Sequence, residues 1–257
     1  MNESLPRADE TLDDLRLGGL KILQKQDGYR FSLDPILLCD FAEVKKGEHV
    51  VDLGTGSGVI CLLLARLSQA ANLTGIEINP ELAERAQRNV LLNRLRERVE
   101  ILHGDVRNIR NLLPPQSVQV VLANPPYREV GRGRIAPGDE RAGARHELAG
   151  GLDDFLRAAC FLLGNGGRFY LVYLAERLTE LLNGMRACHL EPKRLRFIHS
   201  RHGEDARMVL VEGRRDGRPG VRIEPPLVVY DGETYSLEIL KIYDEKGEGA
   251  SGELGLV

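Results

Sequence analysis

Short apolar runs alternate with helical patterns from residue 49 onward, and this alternation predicts a sheet covered by helices on both faces. Runs of β-favouring residues predict seven strands, at residues 49–53, 73–78, 99–103, 118–123, 168–173, 195–199 and 208–211. The polar link at Gly203-Glu204-Asp205 is too short for a parallel crossover, so we expect the last strand to run antiparallel. The chain is therefore predicted to be an α/β protein whose seven-stranded sheet is otherwise parallel.

The helix after the second strand has the clearest local signals. Asn79 is a favoured N-cap residue, and Pro80 fits the first helical position. Leu82, Ala86 and Val90 recur every four residues and form an apolar stripe. Two ion pairs are expected on the exposed side of this helix, Glu81 with Arg85 and Glu84 with Arg88. Further helices are predicted at 58–67, at about 153–163 with Gly164 ending it, and around 178–185.

Length and composition indicate one core with an extension at each end. A chain of 257 residues, 42% of them hydrophobic, can bury one substantial core, which we place at residues 49–215. Residues 1–48 and 216–257 are the two extensions. The first dozen residues and the tail at 245–249 are polar and lack apolar periodicity, so both are expected to fray.

Composition also bears on location and on metal chemistry. No stretch approaches the roughly 20 apolar residues that a membrane span needs. The N-terminus lacks the basic and apolar regions of a signal peptide, so we expect a cytoplasmic protein. The four cysteines, Cys39, Cys61, Cys160 and Cys188, have no paired spacing for zinc. We interpret them as small core residues in a reducing compartment and predict no metal site.

A glycine-rich segment follows the first predicted strand. Gly54, Gly56 and Gly58 predict a tight turn that lets backbone amides approach a ligand where the first helix begins. The G-x-G-x-G spacing, with Asp52 two residues ahead, differs from the G-x-G-x-x-G of dinucleotide enzymes and favours S-adenosylmethionine over NAD. Glu77 at the end of the second strand can accept both hydroxyls of a ribose. Dinucleotide enzymes place an acid similarly, so Glu77 indicates a ribose, unless it is an ordinary loop carboxylate.

The tetrapeptide Asn124-Pro125-Pro126-Tyr127 ends the fourth predicted strand. The side-chain oxygen of Asn124 and the carbonyl of Pro125 can accept both N–H bonds of a planar NH2 group and aim its lone pair at a methyl donor. Proline stiffens the turn and removes competing donors, and Tyr127 can stack on the ring. The motif therefore predicts methylation of an amino or amide nitrogen. The alternative is a rigid turn that only ends a strand.

Together, the two motifs resemble those of the amino-methyltransferases, and specifically the bacterial tRNA(Val) (adenine-N6)-methyltransferases. Two further segments resemble that family, Gly28-Tyr29-Arg30-Phe31-Ser32-Leu33-Asp34-Pro35-Ile36-Leu37-Leu38 and Ala144-Arg145-His146-Glu147. The resemblance implies a class I methyltransferase, Rossmann-like fold that binds S-adenosylmethionine, with an N-terminal extension closing over the cofactor and Asp105 reading its adenine. The implied cofactor-site residues are Phe31, Ser32, Asp34, Asp52, Gly54, Thr55, Gly56, Ser57, Gly58, Glu77, Ile78, Gly104, Asp105, Val106 and Asn124.

The resemblance implies that the substrate is an adenine in tRNA, beside the anticodon of tRNA(Val). The alternatives are a release-factor glutamine, an adenine of DNA or ribosomal RNA, and a binding subunit that no longer reacts. Net charge is only −3, but candidate RNA contacts follow the tetrapeptide at Arg128, Arg132, Arg134, Arg141 and Arg145. A second basic set comprises Lys193, Arg194, Arg196, Arg201, Arg207, Arg214, Arg215, Arg218 and Arg222. Both sets are also compatible with an ordinary solvated surface.

Overall fold

A nine-stranded sheet lies at the centre of the part of the chain that the computed structural model describes, residues 5–27, 32–126 and 150–246. It is preceded by a hairpin of β1 (Glu10–Asp14) and β2 (Lys21–Lys25) and by helix α1 (Asp34–Phe41). Its strands are β3 (His49–Leu53), β4 (Asn72–Glu77), β5 (Val99–His103), β6 (Val118–Ala123), β7 (Leu163–Leu174), β8 (Leu190–His199), β9 (Ala206–Arg215), β10 (Arg222–Ile223) and β11 (Leu227–Val228). A short hairpin of β12 (Tyr230–Asp231) and β13 (Thr234–Tyr235) follows.

The strand order across the sheet is β8-β9-β7-β6-β3-β4-β5. Strands β3 to β7 pair in parallel, whereas β9 runs antiparallel to both β7 and β8. The predicted seven strands and the antiparallel last one are therefore confirmed. The short strands β10 and β11 add parallel pairs along the outer edge of β8, so the sheet is larger than the sequence predicted.

Helices cover both faces of the sheet, as predicted. They are α2 (Val59–Leu67), α3 (Pro80–Leu92), α4 (Leu152–Leu162), α5 (Leu178–Ala187) and α6 (Leu237–Lys246). Successive residues of β3 point to opposite faces: Val50 packs in the cluster that includes α1, α2 and α3, and Val51 in the cluster that includes α4 and α5. The fold is the class I methyltransferase arrangement that the resemblance implied.

The boundary between α4 and β7 differs from the prediction. Helix α4 ends at Leu162, and Leu163 has extended backbone angles, φ −78° and ψ 132°. Gly164 is therefore a strand residue and does not cap the helix. The left-handed conformation occurs at Gly166, with φ +76°, near the start of β7. Because the chain passes from helix to strand without a left-handed residue, no C-cap glycine is needed there.

The surface of α3 that was expected to be exposed is covered by the N-terminal hairpin. Arg85 and Arg88 are buried, and both pair with the buried carboxylate of Glu10, at 3.0 and 2.9 Å. Glu84 does contact Arg88, at 4.0 Å, but Glu81 pairs with Lys25 of the hairpin. The expected fraying of the first dozen residues is thus wrong from Glu10 onward. The tail prediction lies mostly outside the described residues, although α6 extends to Lys246.

The described residues also bear on the cysteines, on metal binding and on membrane spans. Cys39 and Cys61 are buried, Cys160 and Cys188 are partly buried, and all four are free thiols. Within residues 5–27, 32–126 and 150–244, His, Cys, Asp and Glu side chains form no cluster of three or more that could hold a metal ion. No helix in these ranges is long and apolar enough to span a bilayer.

Candidate active site

The turn after β3 is built from three glycines with positive φ angles: +72° at Gly54, +58° at Gly56 and +88° at Gly58. A Cβ at Gly54 would lie 3.1 Å from a ring carbon of Phe155, and one at Gly58 would lie 3.3 Å from the Cβ of Ala86. Around Gly56 no described atom lies within 4 Å of a built Cβ. The turn therefore packs against helices on two sides and is open at its centre, where a ligand can approach the backbone.

Asp52 lies beneath this turn and is almost fully buried, at 1% exposure. Among the described residues, neither of its carboxylate oxygens has a hydrogen-bond partner of acceptable geometry. Burial raises the pKa of Asp52 to about 7; the Thr55 side chain opposes this rise and the charge of Glu77 adds to it. A buried carboxylate without a partner is costly, so Asp52 fits a site that a polar or cationic ligand completes. S-adenosylmethionine, with its ammonium and sulfonium groups, is such a ligand.

Glu77 ends β4 and connects the glycine turn to helix α3. One oxygen accepts the backbone N–H of Gly56 at 2.8 Å, and the other accepts that of Asn79 at 2.9 Å. Burial raises the pKa of Glu77, while the backbone N–H groups of Asn79, Gly56 and Ile78, and then His103, oppose this rise. Each carboxylate oxygen has a second lone pair, so Glu77 can still accept ribose hydroxyls as predicted.

Asp105 lies just beyond the end of β5, and its carboxylate is already paired. The Arg107 guanidinium approaches to 2.6 Å, and the Arg107 backbone N–H donates at 2.8 Å. These contacts, first the side-chain hydrogen bond, lower the pKa of Asp105. A Cβ at Gly104 would lie 2.5 Å from the side chain of Leu112, so the backbone at Gly104 packs closely against that side chain. Reading an adenine amino group would require Asp105 to use a remaining lone pair or to release Arg107.

Asn124 and Pro125 follow directly after β6, and the sheet places them beside the glycine turn. Ala123, the last residue of β6, pairs with Leu53, the last residue of β3. Neighbouring strands are about 4.8 Å apart, so the turn and the tetrapeptide begin at adjacent points of one sheet edge. Asn124 is half-buried and Pro125 is buried. Tyr127, the fourth residue of the motif, lies outside the described residues.

Other predicted site residues are placed only in part. Asp34 is the first residue of α1, and the hydroxyl of Ser32, which precedes the helix, donates to the Asp34 carboxylate at 2.9 Å. Phe31, Arg128, Arg132, Arg134, Arg141 and Arg145 lie outside the described residues. The residues that flank the segment 127–149 are described: Pro126 follows β6, and Gly150 precedes α4, whose Phe155 packs against Gly54. The described residues on either side of this segment thus belong to the end of β6 and to the start of the helix whose Phe155 contacts the turn.

The second basic set does not form one patch. Strands β8 and β9 are antiparallel, so Arg201 and Arg207 lie at the sheet edge that carries Asn124. Arg214 and Arg215 lie at the opposite end of β9, about 25 Å from Arg207 at about 3.3 Å per strand residue. Several members also pair with acids: Arg194 with Glu212 and Glu224, Arg196 with Glu238, Arg201 with Glu204, Arg214 with Glu212, Arg215 with Asp216, and Arg222 with Glu224. The set as a whole therefore does not form an RNA-binding surface beside the site.

Two residues contact the glycine turn although the sequence did not predict that they would. Phe155 packs under Gly54, and the buried side chain of Asn89 donates to the Ser57 carbonyl at 2.9 Å. Both lie in helices far along the chain from the turn. No local pattern marks them, because their role depends on which helices the sheet brings together.

Comparison with known proteins identifies the family. Residues 44–207 match a family model described as a methyltransferase domain. A tRNA1(Val) (adenine(37)-N6)-methyltransferase from Porphyromonas gingivalis is 31% identical over 169 residues, which are 65% of this chain and 66% of that relative. A protein of the same name from Vibrio parahaemolyticus is 25% identical over 228 residues, covering 86% and 89% of the two chains.

Solved structures agree on the fold. A predicted O-methyltransferase from Agrobacterium tumefaciens matches with a TM-score of 0.66 and 22% identity, over 83% of this chain and 96% of that one. P. horikoshii TYW2 in complex with MeSAdo matches with a TM-score of 0.57 and 16% identity, over 82% and 73%. The similarity to the named relatives confirms the resemblance to the tRNA(Val) (adenine-N6)-methyltransferases, and the family model shows that this chain belongs to the methyltransferases.

Proposed function

We propose that this protein transfers a methyl group from S-adenosylmethionine to the exocyclic N6 of an adenine in tRNA, beside the anticodon of tRNA(Val). The observation that carries the proposal is the pairing of β3 with β6, which sets the glycine turn next to Asn124 and Pro125. A cofactor site and an acceptor for an NH2 group therefore share one sheet edge. The names of the relatives support the choice of tRNA and of adenine.

Residues at three successive strand ends would hold the cofactor. Glu77 would accept its ribose hydroxyls, Asp105 and Val106 would face its adenine, and Asp52 would place a buried negative charge beneath the turn. Ser32, Asp34 and Phe31 would contact its methionine end. When bound, S-adenosylmethionine supplies a methyl group activated by its positively charged sulfur.

Asn124 and Pro125 would act on the nitrogen that receives the methyl group. The amino nitrogen of adenine is a poor nucleophile because its lone pair is delocalised into the ring. By accepting both N–H bonds, the Asn124 side-chain oxygen and the Pro125 carbonyl draw the nitrogen towards tetrahedral geometry. As the N–C bond forms and the S–C bond breaks, the nitrogen becomes acidic and then loses a proton to water. Catalysis is chiefly orientation, and no base has to act first.

The RNA contacts would come from the segment that joins β6 to α4. Arg128, Arg132, Arg134 and Arg145 belong to this segment, which follows the end of β6 and precedes the helix that contacts the glycine turn through Phe155. Of the second basic set, only Arg201 and Arg207 lie at the same sheet edge. Unpaired loop bases can be splayed out and stacked at lower cost than bases in a duplex, which favours an anticodon loop. Phosphate contacts predict activity that falls steeply with added salt.

The release-factor alternative is less favoured by the relatives. The two relatives from Porphyromonas gingivalis and Vibrio parahaemolyticus are both named tRNA1(Val) (adenine(37)-N6)-methyltransferases. Their names favour an adenine in RNA over a protein glutamine as the substrate of this chain.

The test is methyl transfer from labelled S-adenosylmethionine to total tRNA, to an isolated valine anticodon stem-loop and to a release factor, followed by nucleoside mass spectrometry. We expect N6-methyladenosine in the tRNA and the stem-loop, and loss of the product with Asn124→Ala. Methylation of the release factor alone would replace the RNA proposal with the glutamine one. Methylation of tRNA at a guanine or cytosine would refute the choice of adenine.

A further inference from the structure

Two asparagines of α3 hold the N-terminal hairpin. Asn89 accepts the backbone N–H of Leu23 at 2.7 Å and donates to its carbonyl at 3.3 Å. Asn93, one helical turn further on, does the same for Lys21, at 2.9 and 2.7 Å. The spacings match, because two strand residues rise about 6.6 Å and four helical residues about 6 Å. The two carboxamides thus bind backbone N–H and carbonyl groups of β2, as a neighbouring strand would.

Only Asn89 also contacts the glycine turn. Its side-chain nitrogen donates to the Ser57 carbonyl at 2.9 Å, and its carboxamide is fully buried. One helical turn earlier, Ala86 of α3 lies against Gly58 of the turn. Asn89 therefore joins the turn, α3 and β2 through three hydrogen bonds from one side chain.

The turn needs an external anchor at Ser57. Gly56 and Gly58 flank this residue, and both have positive φ angles, at +58° and +88°. Glycine has few steric barriers to backbone rotation, so peptide planes between glycines reorient easily. A hydrogen bond to the Ser57 carbonyl fixes the plane that also carries the N–H of Gly58, and that N–H donates to the Thr55 carbonyl at 2.9 Å. The bond from Asn89 thereby fixes the Ser57 side of the turn, as the bond from Gly56 to Glu77 fixes its centre.

We propose that Asn89 is a positioning residue for the cofactor, and that the N-terminal hairpin acts through it as a brace for the glycine turn. The hairpin itself is anchored on α3 by the buried contacts of Glu10 with Arg85 and Arg88. This proposal rests on the cofactor role proposed for the turn. Under this proposal, the N-terminal hairpin raises the affinity for the cofactor. It does so through its contacts with α3, which packs against the glycine turn.

The test compares Asn89→Ala with the matched variant Asn93→Ala by calorimetry with S-adenosylhomocysteine. Both changes remove two hydrogen bonds to β2, but only the first leaves the Ser57 carbonyl without its donor. We expect the dissociation constant to rise about tenfold or more for Asn89→Ala and less than about threefold for Asn93→Ala. At saturating S-adenosylmethionine, turnover should stay within about threefold of wild type for both, as befits a positioning role.

Equal effects of the two variants on affinity, or no effect of Asn89→Ala, would overturn the proposal. If wild-type protein does not bind S-adenosylhomocysteine, the cofactor site proposed above fails instead. A second measurement uses wild type alone, in case Asn89→Ala does not fold. S-adenosylhomocysteine should slow hydrogen exchange in Lys21–Lys25 severalfold and leave Leu190–His199 unchanged, because coupling between sites is reciprocal. Protection confined to the glycine turn would also refute the brace.

Discussion

Glu77→Gln tests whether one carboxylate both fixes the glycine turn and holds the cofactor. In the structure its two oxygens accept the N–H groups of Gly56 and Asn79, at 2.8 and 2.9 Å. Glutamine has one oxygen and one NH2 group, so one of these N–H groups would face another donor. The change therefore removes a charge and breaks at least one of the two bonds, with little change in volume.

The expected loss of affinity follows from the bonds that the ribose hydroxyls would donate to Glu77. A hydrogen bond to a charged group contributes about 1.5–3 kcal/mol, so the loss of one such ribose bond corresponds to a roughly 10- to 150-fold weaker cofactor affinity. Glu77→Ala leaves both N–H groups without an acceptor and should weaken binding at least as much. It should also lower the free energy of unfolding by about 1–3 kcal/mol for each N–H that stays buried.

Calorimetry with S-adenosylhomocysteine and with its 2′,3′-dideoxy analogue separates the two tasks. If Glu77 holds the ribose, removal of the hydroxyls should weaken binding to wild type and have little effect on Glu77→Ala. Glu81→Gln is the control, because Glu81 is exposed and its ion pair among the described residues is with Lys25 at 3.3 Å. A dissociation constant for Glu77→Gln within twofold of wild type, or an equal loss for the analogue in both proteins, would refute the reasoning.

Four further outcomes are expected. Asn124→Ala should bind S-adenosylhomocysteine normally but lose on the order of 10²-fold in turnover, because its oxygen acts mainly in the transition state; an equal loss of cofactor affinity would contradict this role. Tyr127→Ala should impair both tRNA binding and turnover in steady-state assays, with Tyr127→Phe far milder, since stacking needs the ring; equal damage from both changes would implicate the hydroxyl. Because the pKa of Asp52 is about 7 in the folded protein and about 4 when unfolded, stability should fall as pH rises between these values. Asp52→Asn should therefore be more stable than wild type to urea at pH 8 and equal to it near pH 4, and identical midpoints at both would exclude the buried charge. Glu10→Gln should destabilise the protein to urea by about 3–5 kcal/mol, because it leaves Arg85 and Arg88 buried without their carboxylate; a loss under about 1 kcal/mol, typical of an exposed pair, would show that the hairpin does not bury them in solution.

Local pattern was sufficient for most of the sheet and for one helix start. The strands His49–Leu53 and Val118–Ala123 have the predicted limits, because a short apolar run between turn residues is itself the signal of a buried strand. The Asn79 side chain accepts from the N–H groups of Glu81 and Leu82, as its place before Pro80 indicated. The glycine spacing and the tetrapeptide predicted methyl transfer to an NH2 group. They could do so because each motif is contiguous in the chain.

Only the tertiary structure decided which charged and polar side chains are buried or shared between elements, because their partners lie far along the chain. Arg85 and Arg88 belong to the face of α3 that periodicity assigns to solvent, and only the hairpin with Glu10, some 75 residues earlier, makes that face interior. The basic residues after Lys193 form one stretch of sequence, but the antiparallel turn between β8 and β9 sends them to opposite ends of the sheet. Asn89 is a poor helix former, and nothing in the sequence around it predicts a role. Its hydrogen bonds to β2 and to the glycine turn form only once both segments pack against α3. Hydrophobic period and capping are properties of neighbouring residues, whereas burial of charge and shared hydrogen bonds exist only after distant segments have packed.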